Sequence, residues 1–335
     1  MNILIIKLAA IGDVLMSTTM LSAIEEKYPG SHITWVCGQT VRPILEVYPI
    51  DELMSIDEKA LLTGSQWDKM SQILSLWKRL AGRHYDLVVL AHSDARYRLL
   101  TWGIQGRRVV QFNAIGNHKI PVPGRYHGDE YARMILEVDD YAMEASYPPA
   151  LPRDVSGLYP LLKKEGKPII VLSPGGAKNT MRDDGCRRWP VEHYVSLAKK
   201  LLTQGYELVL TGATSDVWVE PYFEGLPLLN LVGQTNLLET LSVFTQADLL
   251  ITHDSGPLHM AVVSRVPIIA LFGPTMPQEK LPQADWIHVL WNPSKLPCCP
   301  CYDGKNYAPC DYNQCLEDIG PDTVVDLAKT LVGDS

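Results

Sequence analysis

One pattern constrains this chain more than any other: a short, unbroken apolar run that ends in a glycine loop and then a helix-forming stretch. It occurs twice. Ile3-Leu-Ile-Ile6 leads into Ala9-Ala-Ile-Gly-Asp13, and Ile169-Ile-Val-Leu172 leads into Ser173-Pro-Gly-Gly-Ala177. A strand without polar alternation is buried on both faces, and such strands belong to parallel sheets covered by helices.

The alternation continues around both runs. In the first half, residues 32–37 and 85–91 read as strands, and residues 14–28, 42–47 and 67–83 have helical spacing. In the second half, strands are expected at 168–173, 207–211, 249–252 and 267–272, with helices at 191–204, 237–245 and 258–264. Strands alternating with helices make βαβ units, so the fold class is α/β. At 335 residues the chain exceeds one ordinary hydrophobic core, which predicts two domains. Residues 143–167, with Pro148, Pro149, Pro152 and Pro160, read as their connection. The expected division is residues 1–155, residues 165–320, and a last helix within 321–335 that could cross back to the first domain. Ligands of such sheets lie outside the carboxyl ends of the strands, so the loops there carry the functional expectations, with both sheets facing a cleft.

Charge narrows the partners. Thirty Lys and Arg against 38 Asp and Glu leave a net charge of -8, so there is no overall basic field for nucleic acid. The first residues run directly into an apolar strand without a basic leader, and no window approaches a membrane span, which predicts a cytoplasmic protein.

Four strand-end loops can carry chemistry. In the first, Gly12 permits close backbone approach and Asp13 is either a helix-terminal residue or a general base. The second, Gly175 and Gly176 followed by Arg187 and Arg188, suits a diphosphate or is a plain turn with a solvated basic stretch. The third, His253-Asp-Ser-Gly-Pro-Leu-His259, places Asp254, Ser255 and Gly256 at a helix start, with His259 in its first turn. Asp254 there is either a ligand group or the helix cap, and Ser255 lacks the elbow of a serine hydrolase. The fourth, Leu271-Phe-Gly-Pro-Thr-Met-Pro277, is another glycine loop. Neither complete nucleotide fingerprint is present. Of seven cysteines, five crowd between Cys298 and Cys315. In a reducing compartment these are free or oxidised thiols, or Cys298, Cys301, Cys310 and Cys315 hold a structural zinc or iron.

Taken together, these segments resemble glycosyltransferase family 9, the lipopolysaccharide heptosyltransferases. The likeness rests on residues 3–14, Tyr85-Asp-Leu-Val-Val89, Leu172-Ser-Pro-Gly-Gly-Ala177, Arg188-Trp-Pro190, Val209-Leu-Thr-Gly212, Asn230-Leu-Val-Gly233, Asp254-Ser-Gly-Pro-Leu-His259 and Leu271-Phe-Gly-Pro-Thr275. The resemblance implies a GT-B fold of two Rossmann-like domains and inverting transfer without a catalytic metal. Its implied donor is ADP-heptose and its implied acceptor a lipid-linked saccharide, with transient contact at the inner face of the inner membrane. It makes Asp13 the base and sets Arg187 against the donor phosphates. Gly175, Gly176, Arg188, Asp254, Ser255, Gly256 and His259 become donor-binding residues. Gly12, Arg96, Arg98 and Arg125 are acceptor candidates, joined by Arg107, Arg108 and Lys119, although each could equally belong to a solvated basic face. Ala9 and Ala10 stand where many members have serines. A nucleotide-sugar epimerase or a non-catalytic nucleotide-sugar binder are the alternatives.

Overall fold

The computed structural model describes residues 1–115, 118–138, 147–159, 166–178, 182–304, 306–310 and 312–333. It divides into two compact units, Met1–Arg153 with Asn179–Met181, and Asp154–Lys178 with Arg182–Ser335.

The first unit is built on a parallel sheet of five strands: β1 (Asn2–Ile6), β2 (His32–Gly38), β3 (Glu52–Ile56), β4 (Leu87–Leu90) and β5 (Val109–Gln111). Their spatial order is β3-β2-β1-β4-β5. Register follows the apolar runs: Ile3 to Ile6 lie opposite Ile33 to Val36 on one side and Leu87 to Leu90 on the other. All four isoleucine and leucine side chains of β1 are buried, as an uninterrupted apolar strand requires.

The second unit repeats this plan with six strands: β6 (Ile169–Ser173), β7 (Glu207–Leu210), β8 (Leu229–Asn230), β9 (Leu249–His253), β10 (Ile268–Leu271) and β11 (Ile287–Leu290). Their order is β8-β7-β6-β9-β10-β11, all parallel. That is the doubly wound Rossmann order, in which the chain reverses direction across the sheet between β6 and β9. Tyr194, Leu197 and Leu201 of the helix Val191–Thr203 close one core with Leu172, Leu210 and Ile251. The last helix, Pro321–Val332, adds Val324, Val325 and Ala328 to that core. It is therefore part of the second unit's own packing.

One expected helix is divided. Residues 14–28 form two helices, Ile11–Ser17 and Thr19–Lys27. The cause lies in three successive hydroxyls: Ser17, Thr18 and Thr19 are buried, and each Oγ donates to the carbonyl three residues back. Such local side-chain bonds compete with the helical ladder. A second departure is the 3-10 segment Thr214–Phe223 after β7, which apolar spacing does not announce.

Candidate functional site

In each unit the chemistry-bearing loops leave the sheet at its point of reversal. In the first unit that point lies between β1 and β4. The loop after β1 runs straight into the helix Ile11–Ser17, so Asp13 sits in its first turn and Gly12 is buried beneath it. A carboxylate there is favoured by the helix dipole. The Asp13 side chain is about half exposed, and its Oδ2 lies 3.9 Å from Lys7 Nζ.

Lys7 is the residue that sequence reasoning missed. It directly follows strand β1, is buried, and its ammonium donates to Tyr131 Oη at 2.9 Å. Burial lowers its pKa, while Asp13 and Tyr97 oppose that shift. From β4 comes His92, whose Nε2 accepts the Leu8 backbone N–H at 3.0 Å while its ring stacks on Tyr97. Burial first and the Lys7 charge second push His92 well below its usual range, so it is neutral. The one readable signal was a lysine closing a run that is otherwise wholly apolar.

The acceptor candidates are more scattered. Arg96 is almost fully exposed and pairs with Asp94, Arg98 donates to Gln111 Oε1, and Arg108 pairs with Glu137. Arg125 is largely buried at 3.3 Å from the fully buried Glu130, which also holds Arg133. An arginine so placed serves the fold of this unit before any ligand.

In the second unit the reversal lies between β6 and β9, and here the expected residues do converge. The glycine loop after β6 is clamped from both sides. Gly176 N–H donates to Asp216 Oδ1 at 3.0 Å, and Gly176 O accepts from Arg188 Nε at 2.8 Å. Gly175 and Gly176 are required by space. A Cβ on Gly175 would fall 2.4 Å from Asp216 Cγ, and Gly176 has φ +81 with its missing Cβ position 3.0 Å from Ser255 Cβ. Arg188 also pairs with Asp183. It thus shapes the loop, and the Gly176 N–H is already committed.

The loop after β9 carries Asp254 and Ser255, and Gly256 opens the helix Gly256–Ser264. Asp254 is not that helix's cap. Its Oδ2 accepts from Thr275 Oγ1 at 2.7 Å and lies 3.5 Å from Arg187 Nη1. Ser255 occupies the cap position, but its hydroxyl donates to His253 O. Burial would raise the Asp254 pKa, yet Arg187, Lys280, His259 and the Thr275 hydroxyl outweigh it and keep the carboxylate ionised. Arg187 also reaches Asp184 at 3.3 Å. Burial works against its charge, but the carboxylates prevail and its pKa is raised.

Among the described residues, Arg187 Nε and His253 Nε2 are buried without a hydrogen-bond partner. His253 Nδ1 meets Tyr194 Oη at 3.1 Å, and burial lowers the ring's pKa to about 3, so the imidazole is neutral. Buried polar groups are rarely left unpaired, and those that are mark a site for a ligand or a functional strain.

Of the two readings of the cysteines, the metal site finds no support. Among the described residues, no three His, Cys, Asp or Glu side chains are gathered as a metal would require. Cys298 and Cys310 are exposed thiols, and Cys301 and Cys315 are partly covered. Cys299 Sγ spends its proton on Gly273 O, and burial pushes Cys315 up to about 12. The described residues thus lend no support to a four-thiolate site at Cys298, Cys301, Cys310 and Cys315.

Residues 73–310 match the family model for glycosyltransferase family 9 (heptosyltransferase). The chain belongs to glycosyltransferase family 9. It is 28% identical to lipooligosaccharide heptosyltransferase 2 of Haemophilus influenzae, over 85% of this chain and 87% of that one. Its fold matches a family 9 glycosyltransferase from Veillonella parvula with a TM-score of 0.77 at 23% identity, covering 100% of this chain and 97% of the other. It also matches the E. coli ADP-heptose lps heptosyltransferase II with a TM-score of 0.75 at 20% identity, covering 99% and 98%. The α/β architecture of two Rossmann-like units is thus the GT-B fold, and the protein is a glycosyltransferase. Among the described residues, no helix is long and apolar enough to cross a membrane.

Proposed function

We propose that this glycosyltransferase moves a heptose from ADP-heptose to a lipopolysaccharide core or similar lipid-linked saccharide, with inversion at the anomeric carbon. The observation that carries the donor assignment is Arg187. It is a mostly buried guanidinium at the sheet's reversal point, held by Asp184 and Asp254, with its Nε unpartnered among the described residues. A fixed cation there meets the negative charge that develops on a departing diphosphate. Asp254, kept ionised and gripped by Thr275, suits sugar or ribose hydroxyls as an acceptor of hydrogen bonds. Ser255, Gly256 and His259 flank it on the same helix start. Gly175, Gly176 and Arg188 give this face its shape.

Asp13 is the general base. Its carboxylate takes the proton of an acceptor hydroxyl as the hydroxyl oxygen bonds to the anomeric carbon and the bond from that carbon to the ADP oxygen breaks. Lys7, anchored on Tyr131, holds that carboxylate in place from the buried side. Gly12, Arg96 and Arg98 remain acceptor-side residues in this reading, and the enzyme works on the cytoplasmic side, visiting the inner membrane surface where its acceptor resides.

The deciding experiment is the rise in melting temperature produced by ADP, UDP, GDP, CMP and ADP-heptose, since a ligand that binds only the folded state stabilises it. Selective response to ADP and ADP-heptose is expected, and its loss in Arg187→Met. Preference for another nucleotide would overturn the donor. Incubation with the donor alone separates transfer from epimerisation, because an epimerase alters the sugar without an acceptor.

A further inference from the structure

The first unit carries an exposed apolar surface that adjoins the acceptor candidates Arg96 and Arg98. The helix Gln66–Leu80 buries Ile73, Leu76 and Leu80 on one face, and on another it exposes Trp67 (85%), Met70 (47%) and Leu74 (52%). These positions, spaced three and four apart, form one stripe. Beside the helix lies the turn Ala95–Thr101, pinned by Trp77, whose Nε1 donates to Leu99 O at 2.9 Å and whose ring meets Trp102 edge-on with centroids 4.9 Å apart. Leu99 and Trp102 are themselves exposed, 47% and 69%. Single exposed apolar residues are ordinary, but five large ones on two adjoining elements are not.

The charge on these elements runs against the rest of the chain. Residues 66–80 hold Lys69, Lys78 and Arg79 with Asp68 alone, and residues 95–108 hold Arg96, Arg98, Arg107 and Arg108 with no acid. Counting the carboxylates that pair with them, Asp94 and Glu137, seven cations stand against three carboxylates here, in a chain of net charge -8. Some are partly engaged: Arg79 with Ser55 O, Arg96 with Asp94, Arg98 with Gln111 and Arg108 with Glu137. Lys69, Lys78 and Arg107 have no ion pair among the described residues.

We propose that this face, Trp67, Met70, Leu74, Leu99 and Trp102 with their surrounding Lys and Arg, docks on an anionic phospholipid surface. Tryptophan and leucine flanked by cations is the composition of an interfacial helix: the rings enter the headgroup boundary while lysine and arginine meet lipid phosphates. A second copy of this chain fits poorly, because a two-fold contact would bring the same excess of cations against itself. The inference rests on the proposed lipid-linked acceptor and names the surface by which the enzyme reaches it.

The test is flotation of the full chain with vesicles of phosphatidylglycerol and phosphatidylethanolamine, and with phosphatidylcholine alone. Two variants are compared, Trp67→Ser/Met70→Ser/Leu74→Ser and Lys69→Glu/Lys78→Glu. Trp67 is 85% exposed, Met70 and Leu74 are about half exposed, Lys78 is exposed and Lys69 half-buried, so an unchanged melting temperature and ADP response are required to verify folding. Flotation of the wild type with anionic vesicles, weakened by raised salt and reduced about tenfold in both variants, is the expected result. Equal flotation of the triple variant, or none by the wild type, overturns the proposal. So does a dimer in sedimentation velocity that the triple variant loses while the wild type fails to float. Vesicle binding by a protein that ignores ADP-heptose would refute the donor and leave this surface standing.

Discussion

Thr275→Val probes the link on which the donor site depends. Thr275 and Asp254 are 2% and 3% exposed, and the 2.7 Å bond between them is the shortest contact the carboxylate makes with a described partner. Valine keeps the shape and removes the hydroxyl, so a buried carboxylate loses a charge-assisted donor. That is worth about 2 kcal/mol. For a unit of this size the melting temperature should fall by about 4–8 °C. The sign with pH follows from Asp254. Its folded-state pKa lies below the ordinary value, so its contribution is fully present above about pH 4 and is lost as pH falls further through the folded value. The deficit of Thr275→Val is therefore whole at neutral pH and shrinks in acid as the carboxyl takes up its proton. Differential scanning calorimetry at neutral pH and well below pH 4, with ADP titrations at neutral pH alongside, reads both effects, and Thr275→Ser should restore most of the loss. A Thr275→Val protein that melts within about 1 °C of wild type at neutral pH and binds ADP normally would refute the reasoning.

Asp13→Asn should cut turnover by about 100-fold or more while leaving the donor KM nearly unchanged, as measured by release of ADP; retained turnover would remove Asp13 from its role. Gly176→Ala places a side chain at φ +81 and 3.0 Å from Ser255 Cβ, so about 1–2 kcal/mol of stability should be lost together with donor affinity, read by urea unfolding and ADP titration. His253, with its pKa near 3 in the fold against about 6.5 unfolded, takes up a proton more readily in the unfolded chain. Stability should hence fall progressively as pH drops from about 6.5 toward 3, and His253→Gln should flatten that slope in pH-dependent unfolding; an unchanged slope would refute it.

The strands were the most legible part of the molecule. Ile3 to Ile6 and Ile169 to Leu172 have no polar residue to set a face, and burial on both sides is the only arrangement they permit. Asp254 was legible as a candidate, but its environment was not. Thr275 and Arg187 are 21 and 67 residues away, and only the packing of neighbouring parallel strands brings their loops together. The hydroxyl triplet Ser17 to Thr19 misled the helix reading, since helical spacing carries no information about side chains that bond to their own backbone. Lys7 was hidden for the opposite reason. It directly follows a run that reads as pure core, and its partner Tyr131 lies on the helix His127–Leu136, 124 residues later.

The Gly175–Gly176 loop has an energetic consequence through its two clamps. Asp216 fixes the amide and Arg188 the carbonyl of Gly176, so the most mobile backbone of the site surrenders its freedom when the chain folds. A loop ordered in advance imposes no conformational entropy cost at the moment of association. Nucleotide affinity can then be set by contacts alone, and a substitution at Asp216, which need never touch the ligand, would weaken binding by handing that entropy cost back to it.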